Sequence, residues 1–543
     1  MKKIFYIVGL TLLLISCKKE TWLKEEAYGF YTPENSYTTP GQIDIASVEL
    51  YRNVSDLLYG KGGDGTSFIF SYTTDVGYDA IAPNHELNSW SDNITPETGR
   101  VSTFWNSFYQ WIYDANVILT RIETIKYATE EEKNAKKAEA MFFRAFAYRH
   151  LAIMFGGVPI VLKEINTPRR DFVRASTTEV WAQVISDLTY ATEHLPGANE
   201  VKQDGRITKG AAYHMLAEAY IVTKDYPKAI TATSQVINNL GYSLMKTRFG
   251  TKKSDPGDVY WDLFRRGNQN RKSGNMEAIY VSQYEYKIPG GQIDDSLPRF
   301  LVPLYWQLQG VDGKSLFVGP SFQYGRGIGW WAASDYTINQ IWANTTGDIR
   351  NSEYNIVRDI KADNPKSAFY GKDIVASGAF KSSANLLNRY WSAIFTKAVP
   401  VNDFPDDVLI NAANNTFRDR YVIRLAETYL LRAEAYLLSG NTALAAQDIN
   451  QLRKRASSPL VNAVDVTVDF ILDERARELF AEEQRLLTIL RTNTNIERIR
   501  KYNPMYNGTY ATNKINSYQN LWPIPSSEIE RNTEAKLVQN PGY

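Results

Sequence analysis

The feature that most narrows the fold is a spacing that occurs twice. Tyr213, Leu216, Ala217 and Tyr220 are followed by Ala229, with Asp225-Tyr226-Pro227 supplying a turn between them. The frame returns as Tyr429, Ala433, Tyr436 and Ala445, with Gly440-Asn441 at the turn. Small residues at these places let two antiparallel helices approach closely, and the aromatic fills the groove beside them. The pattern large, large, small, aromatic, small is that of a tetratricopeptide-type helical hairpin. Arg432 stands where the second frame calls for a large apolar residue, so that copy is degenerate. A weaker relative appears at Met141, Ala145, Tyr148 and Gly157.

The helical period extends well beyond these frames. Phe104, Phe108, Trp111, Ile112, Ala115, Ile118 and Leu119 recur at three- and four-residue steps, as an amphipathic helix requires. Thr129 with Glu132 predicts a capping box opening the next helix, which runs to Gly156-Gly157-Val158-Pro159. Tandem glycine followed by proline ends it. Ser176 to Leu195 is a further helix, and one long helix is predicted from about Asp469 to Arg491. Between about 241 and 415 the period fades into Gly, Pro, Asn, Ser and aromatic residues, as in Tyr324-Gly325-Arg326-Gly327-Ile328-Gly329-Trp330-Trp331. This predicts long loops and a few short strands packed on a helical scaffold, and loops held by a rigid scaffold are the usual place for binding. Leu521-Trp522-Pro523-Ile524-Pro525 predicts an extended strap.

The amino terminus carries a separate signal. Lys2 and Lys3 precede an apolar run from Ile4 to Ile15 that is too short to span a bilayer comfortably. It ends in Ser16-Cys17, a small residue before the only cysteine of the chain. Residues 1–16 are expected to be a signal peptide, with Cys17 receiving diacylglycerol and an N-acyl chain such as palmitate. Stable attachment needs more than one acyl chain, a condition a triacylated cysteine meets. Residues 17–30 form the tether. With 61 basic and 60 acidic residues, the chain has no electrostatic footprint for nucleic acid.

Taken in order, the motifs resemble the SusD/RagB family of outer-membrane nutrient-binding lipoproteins. The resemblance rests on Cys17 and on Phe143-Arg144-Ala145-Phe146-Ala147-Tyr148 leading to Phe155-Gly156-Gly157-Val158-Pro159. It also rests on Arg424 to Ala435, on Asp473-Glu474-Arg475-Ala476-Arg477-Glu478-Leu479, on Trp522-Pro523-Ile524-Pro525, and on Gln539-Asn540-Pro541-Gly542-Tyr543. Glu483, Leu486, Leu487 and Thr488 depart from the family's usual glycine, aromatics and aspartate. The resemblance implies a mainly α, SusD-like fold in which tetratricopeptide-like helix pairs cradle an irregular, loop-rich lobe with few short strands. The scaffold would occupy about 31–240 and 416–500, the lobe about 241–415, and the C-terminal strap 501–543. It further implies an outer-membrane protein facing the cell exterior, with a SusC-type TonB-dependent barrel as partner and an oligosaccharide, or in some members a peptide, as ligand.

Sugars present apolar ring faces edged with hydroxyls, so aromatic planes with amides, carboxylates and arginine beside them are the chemistry to seek. Two regions have it. One holds Asp75, Tyr78, Asn84 and Trp90; the family's corresponding loop contributes ligand contacts. The other holds Tyr305, Trp306, Tyr324, Arg326, Trp330 and Trp331, where glycines flanking Trp330 suit a loop presenting an indole. Arg424, Glu427, Arg432 and Glu434 fall at helical spacing and are expected to form scaffold ion pairs. His150 and His214 lie in amphipathic helices as structural histidines. No HExxH pattern or nucleotide loop is present, and the acidic pairs Asp294-Asp295 and Asp406-Asp407 suit solvated loops better than glycoside hydrolysis. The expectation is a binding protein that is not an enzyme and needs no cofactor. A calcium ion stiffening a loop is left open.

Overall fold

The computed structural model describes the chain from Ser36 to Tyr543 apart from residues 60–68, 84, 86–87, 287, 290, 292–294, 382–387, 405–408, 410–417 and 508–512. The signal peptide 1–16, Cys17, the tether 17–30 and Asn84 lie outside the described residues.

Eleven longer helices among the described residues carry the scaffold: α1 (Pro40–Leu58), α2 (Gly99–Arg121), α3 (Glu130–Phe155), α4 (Thr177–His194), α5 (Lys209–Val222), α6 (Tyr226–Ser234), α7 (Leu425–Leu438), α8 (Thr442–Arg455), α9 (Val468–Leu479), α10 (Arg485–Arg491) and α11 (Asn495–Tyr502). Their ends follow local chemistry. Thr39 with Gln42 and Ser176 with Glu179 form complete capping boxes on α1 and α4, satisfying amide donors that the first turn leaves without partners. On α3 only half of the expected box forms: the Thr129 hydroxyl accepts from the Glu132 amide at 3.2 Å. Gly156 ends α3 with φ +75°.

Successive helices pack on one another from α2 to α6. The chain then leaves for the lobe and returns so that α7 lies against α6. The two repeat frames, remote in sequence, thereby become neighbours. Ile221 and Ala229 of the first frame's helices meet Leu431 and Ala435 in one buried cluster. Ala217 and Ala433 are wholly buried, as close helix approach requires.

The predicted helix from Asp469 to Arg491 is broken. It runs as α9, an irregular turn with Ala481 at φ +61°, and α10. The turn aims Glu482 and Glu483 inward. Glu482 bonds Arg424 and Lys397 at 2.9 and 2.8 Å, and Glu483 bonds Arg475 and Arg485 at 2.8 and 3.0 Å. An apolar periodicity conceals such a break because both halves keep the same buried face.

Among the described residues the lobe has three two-stranded antiparallel ladders: β1 (Gly77–Asp79) with β3 (Trp331–Ala333), β2 (Ala278–Ser282) with β6 (Arg420–Arg424), and β4 (Ile356–Val357) with β5 (Ile394–Phe395). It has a small core of its own around Val302, Tyr305, Leu316, Phe317, Ile374 and Ile394. Buried ion pairs clamp it to the scaffold. Arg424 contacts Glu277 at 2.9 Å and Glu478 at 2.8 Å, while Arg350 contacts Asp348, Glu474 and Glu478 at 2.6, 2.9 and 3.0 Å. Arg432–Asp448, Arg475–Glu427 and Arg491–Glu434 join scaffold elements to one another. The strap ends the chain over α2 and α3. The wholly buried Trp522 packs edge-on to Trp90, Phe104 and Phe155.

Candidate functional site

The β1–β3 ladder brings the two sequence regions together. Tyr78 lies opposite Ala332 and Asp79 opposite Trp331, and the Ala80 amide donates to the Trp330 carbonyl at 2.8 Å. A side chain at Gly77 would place its Cβ 2.1 Å from the Trp331 indole nitrogen, so glycine permits the approach of the two strands.

Four of the eight residues expected to meet ligand belong to the interior. Asp75 is 0% exposed, and its carboxylate accepts from Arg485 at 2.9 and 2.6 Å and from Arg498 at 2.7 Å. Burial alone would raise its pKa, but the two guanidiniums outweigh burial and hold it well below the usual carboxylate range. Trp90 is buried beneath the strap. Trp331 is a strand residue tilted onto Phe480 at 5.3 Å. Tyr78 is buried too, and its hydroxyl accepts from the Asn388 amide nitrogen at 3.1 Å. β1 and β3 are buried at every position, and ion pairing draws Asp75 inward with them, which composition did not disclose.

The other described candidates lie in the lobe. Trp330 is half-buried, with one indole face stacked on Phe300 at 5.0 Å and 11°. The Arg326 guanidinium lies 5.2 Å from the Trp306 ring centroid. Tyr324 lines a cleft of about 740 Å³ with Tyr354, Glu353 and Arg358. Three of that cleft's carboxylates are engaged. Asp359 accepts from the Val375 and Ala376 amides, both at 2.8 Å, Asp373 pairs with Lys361 at 3.1 Å, and Asp255 lies 3.7 Å from Lys252.

Beside it, a second cleft of about 640 Å³ is walled by Trp306, Phe380, Tyr390 and Trp391. Gln307, Gln309, Ser315, Lys381 and Asn388 contribute polar groups to the same lining. The four aromatics are half-buried and rooted in the core of the lobe. The Trp306 indole N–H donates to the Gly327 carbonyl at 2.8 Å, which fixes its plane. The segment bearing Tyr390 and Trp391 is laced to its neighbours: the Leu304 amide donates to the Arg389 carbonyl at 2.9 Å, and Arg389 Nε to the Ile328 carbonyl at 3.1 Å. Gly329, at φ +58°, would carry a Cβ only 2.1 Å from that same Arg389 carbonyl; glycine is required there on both counts. Rigid aromatic faces beside amide groups can hold a sugar ring and orient its hydroxyls.

Sequence reasoning reached Trp306 and Arg326 but missed Phe380, Tyr390 and Trp391. The signal was present in Asn388-Arg389-Tyr390-Trp391, an aromatic pair beside polar residues like those at Trp330. Both buried histidines serve the scaffold. His150 bonds the Phe146 carbonyl and Gln484, and burial, with Arg149 adding to it, lowers its pKa to about 3. His214 bonds Thr428. Asp295 is buried against Arg420, whereas Asp294, Asp406 and Asp407 lie outside the described residues. No three potential metal-ligating side chains converge among the described residues.

Comparison with known proteins gives two family matches. Residues 261–543 match the SusD family, and residues 34–221 match a family described as starch-binding and associating with the outer membrane. The chain is 25% identical to SusD-like protein P25 of Formosa agariphila, over 98% of this chain and 97% of that one. It is 24% identical to the starch-binding protein SusD of Bacteroides thetaiotaomicron, over 87% and 86%. Among solved structures, a laminarin-binding SusD-like protein superposes with a TM-score of 0.69 at 23% identity, covering 93% of this chain and all of that one. Surface glycan-binding protein A of Bacteroides thetaiotaomicron, in complex with laminarihexaose, gives a TM-score of 0.69 at 18% identity, with 93% and 100% covered.

Proposed function

Since the chain belongs to the SusD family, we propose that it captures an oligosaccharide non-covalently at the outer surface of the outer membrane and passes it to a SusC-type TonB-dependent barrel. In this reading Cys17 carries the lipid that holds the protein at the membrane, and the helical scaffold is an inert frame. The observation that carries the reading is the cleft formed by Trp306, Phe380, Tyr390 and Trp391, where aromatic planes stand beside amide side chains on a surface large enough for several sugar rings. Trp391 and Trp306 are the principal contacts, with Arg326 beside them. The relatives named for starch, laminarin and other glycans support the class of ligand.

Removal of one stacked indole forfeits about 1–3 kcal/mol of apolar contact, or roughly 5- to 150-fold in affinity. Isothermal titration of wild type and Trp391→Ala against a glycan panel tests the proposal, with circular dichroism confirming the fold. The expected result is a bound oligosaccharide whose affinity drops by that factor in the variant. Binding unchanged in a folded Trp391→Ala protein rejects the cleft. A peptide panel bound in preference to glycans rejects the ligand class.

A further inference from the structure

Four arginines buried where lobe and scaffold meet are held in ion pairs. Arg350, Arg424, Arg485 and Arg498 each meet carboxylates at 3.0 Å or less. Around the aromatic cleft the pattern is reversed. Its described lining contains Lys381 but no Asp or Glu. Arg326 lies over Trp306, and Arg389 sits between the lining residues Asn388 and Tyr390, where its Nε donates to a backbone carbonyl. Among the described residues, none of Lys381, Arg326 and Arg389 has a carboxylate partner. Arg299, whose backbone carbonyl accepts from the Ile328 amide, stands close enough to Arg326 that burial and this like charge together lower its pKa.

Lys381, Arg326 and Arg389 have no carboxylate partner among the described residues, so a bound anion can pair with them. The neighbouring cleft, lined by Asp255, Glu353, Asp359 and Asp373 with Arg358, has the opposite sign, so the cationic character is local to the aromatic cleft. Donor chemistry points the same way. Ammonium and guanidinium groups only donate, whereas the hydroxyls of a neutral sugar need acceptors as well as donors. A carboxylate or sulfate offers only acceptors, and a guanidinium can meet it in bidentate fashion.

From this we infer that the oligosaccharide taken by the Trp306–Trp391 cleft is anionic, carrying uronate carboxylates or sulfate esters. The inference rests on the reading of that cleft as the glycan site. Lys381 and Arg326 hold the anionic substituents while the indoles hold the ring faces.

The test pairs each acidic probe with its charge-free counterpart: oligogalacturonate with its methyl ester, and a sulfated galactan fragment with the desulfated chain. Titrations use the full mature protein in about 0.05 M and about 0.5 M salt, which shortens the screening length severalfold. The expected result is at least one acidic probe bound about tenfold tighter than its neutral partner at low salt, a ratio that two weakly shielded charge pairs supply. That ratio falls at high salt and in Lys381→Gln and Arg326→Gln. Neutral and acidic probes bound alike, with both lost in Trp391→Ala, overturns the inference and leaves the glycan site standing. Neither kind bound by a folded protein overturns both.

Discussion

Asp75→Asn separates a ligand contact from a structural charge. The residue sits in a loop rich in polar and aromatic groups, yet its carboxylate joins Arg485 of α10 to Arg498 of α11, both of them 2% exposed or less. Asparagine keeps the shape and removes the charge. Arg485 retains Glu483 at 3.0 Å, and Arg498 retains Asp469 and Asp473, each at 2.7 Å. The loss therefore belongs at the lower end of the range for breaking a buried ion pair, about 3 kcal/mol. At roughly 2.1 cal/mol/K of unfolding entropy per residue, a chain of 543 residues changes by about 1.1 kcal/mol/K, so the melting midpoint should fall by about 3 °C. Differential scanning calorimetry measures the shift, and titration with the bound oligosaccharide should return near wild-type affinity. A midpoint within about 1 °C of wild type together with abolished binding would refute the structural role and restore Asp75 to the ligand site.

Acid should destabilise the fold in two steps of known sign. The buried His150 stays neutral down to about 3 against 6.5 for the free side chain, so the unfolded chain takes up the proton first and stability falls as pH drops below 6.5. Burial opposes ionisation of Glu218 and Glu474, but Arg149 beside Glu218 and Arg350 beside Glu474 prevail and hold both at about 2, against 4.5 for the free side chain. Their contribution is complete above 4.5 and is lost as pH falls towards 2; a melting midpoint that stays level or rises on acidification contradicts this. Cys17→Ser should leave the circular dichroism spectrum unchanged while moving the protein from the membrane to the soluble fraction in cells lacking the barrel. Retention in the membrane fraction would reject the lipid tether.

The scaffold was legible because its determinants are local and periodic. Ala217, Ala229, Ala433 and Ala445 had to be small for helices to touch, and that demand is visible one hairpin at a time. The break at Ala481 was not, because it serves Glu482 and Glu483, whose partners Arg424, Lys397 and Arg485 come from three different segments. The site was half legible for a related reason. An aromatic beside Gly and Asn signals a loop, but whether the ring faces water or core depends on pairing partners far away. Trp331 turned inward because β3 pairs with β1, while Trp391 stayed half-exposed on a segment anchored through the Arg389 backbone and side chain.

The same long-range pairing explains how an irregular lobe can bind at all. Its ladders are two-stranded and short, and such pairs are marginal on their own in water. Loops held so lightly would forfeit affinity by ordering on contact with ligand. The buried charges remove that penalty in advance. Glu277 projects from the lobe onto Arg424 of the scaffold, while Arg350 reaches Glu474 and Glu478 and Lys397 reaches Glu482. Each pair is costly to desolvate and costlier to break, which suits a clamp better than extra hydrophobic area, since apolar contacts tolerate sliding and fixed ion pairs do not. The aromatic cleft thus inherits its rigidity from buried charges that lie outside its lining.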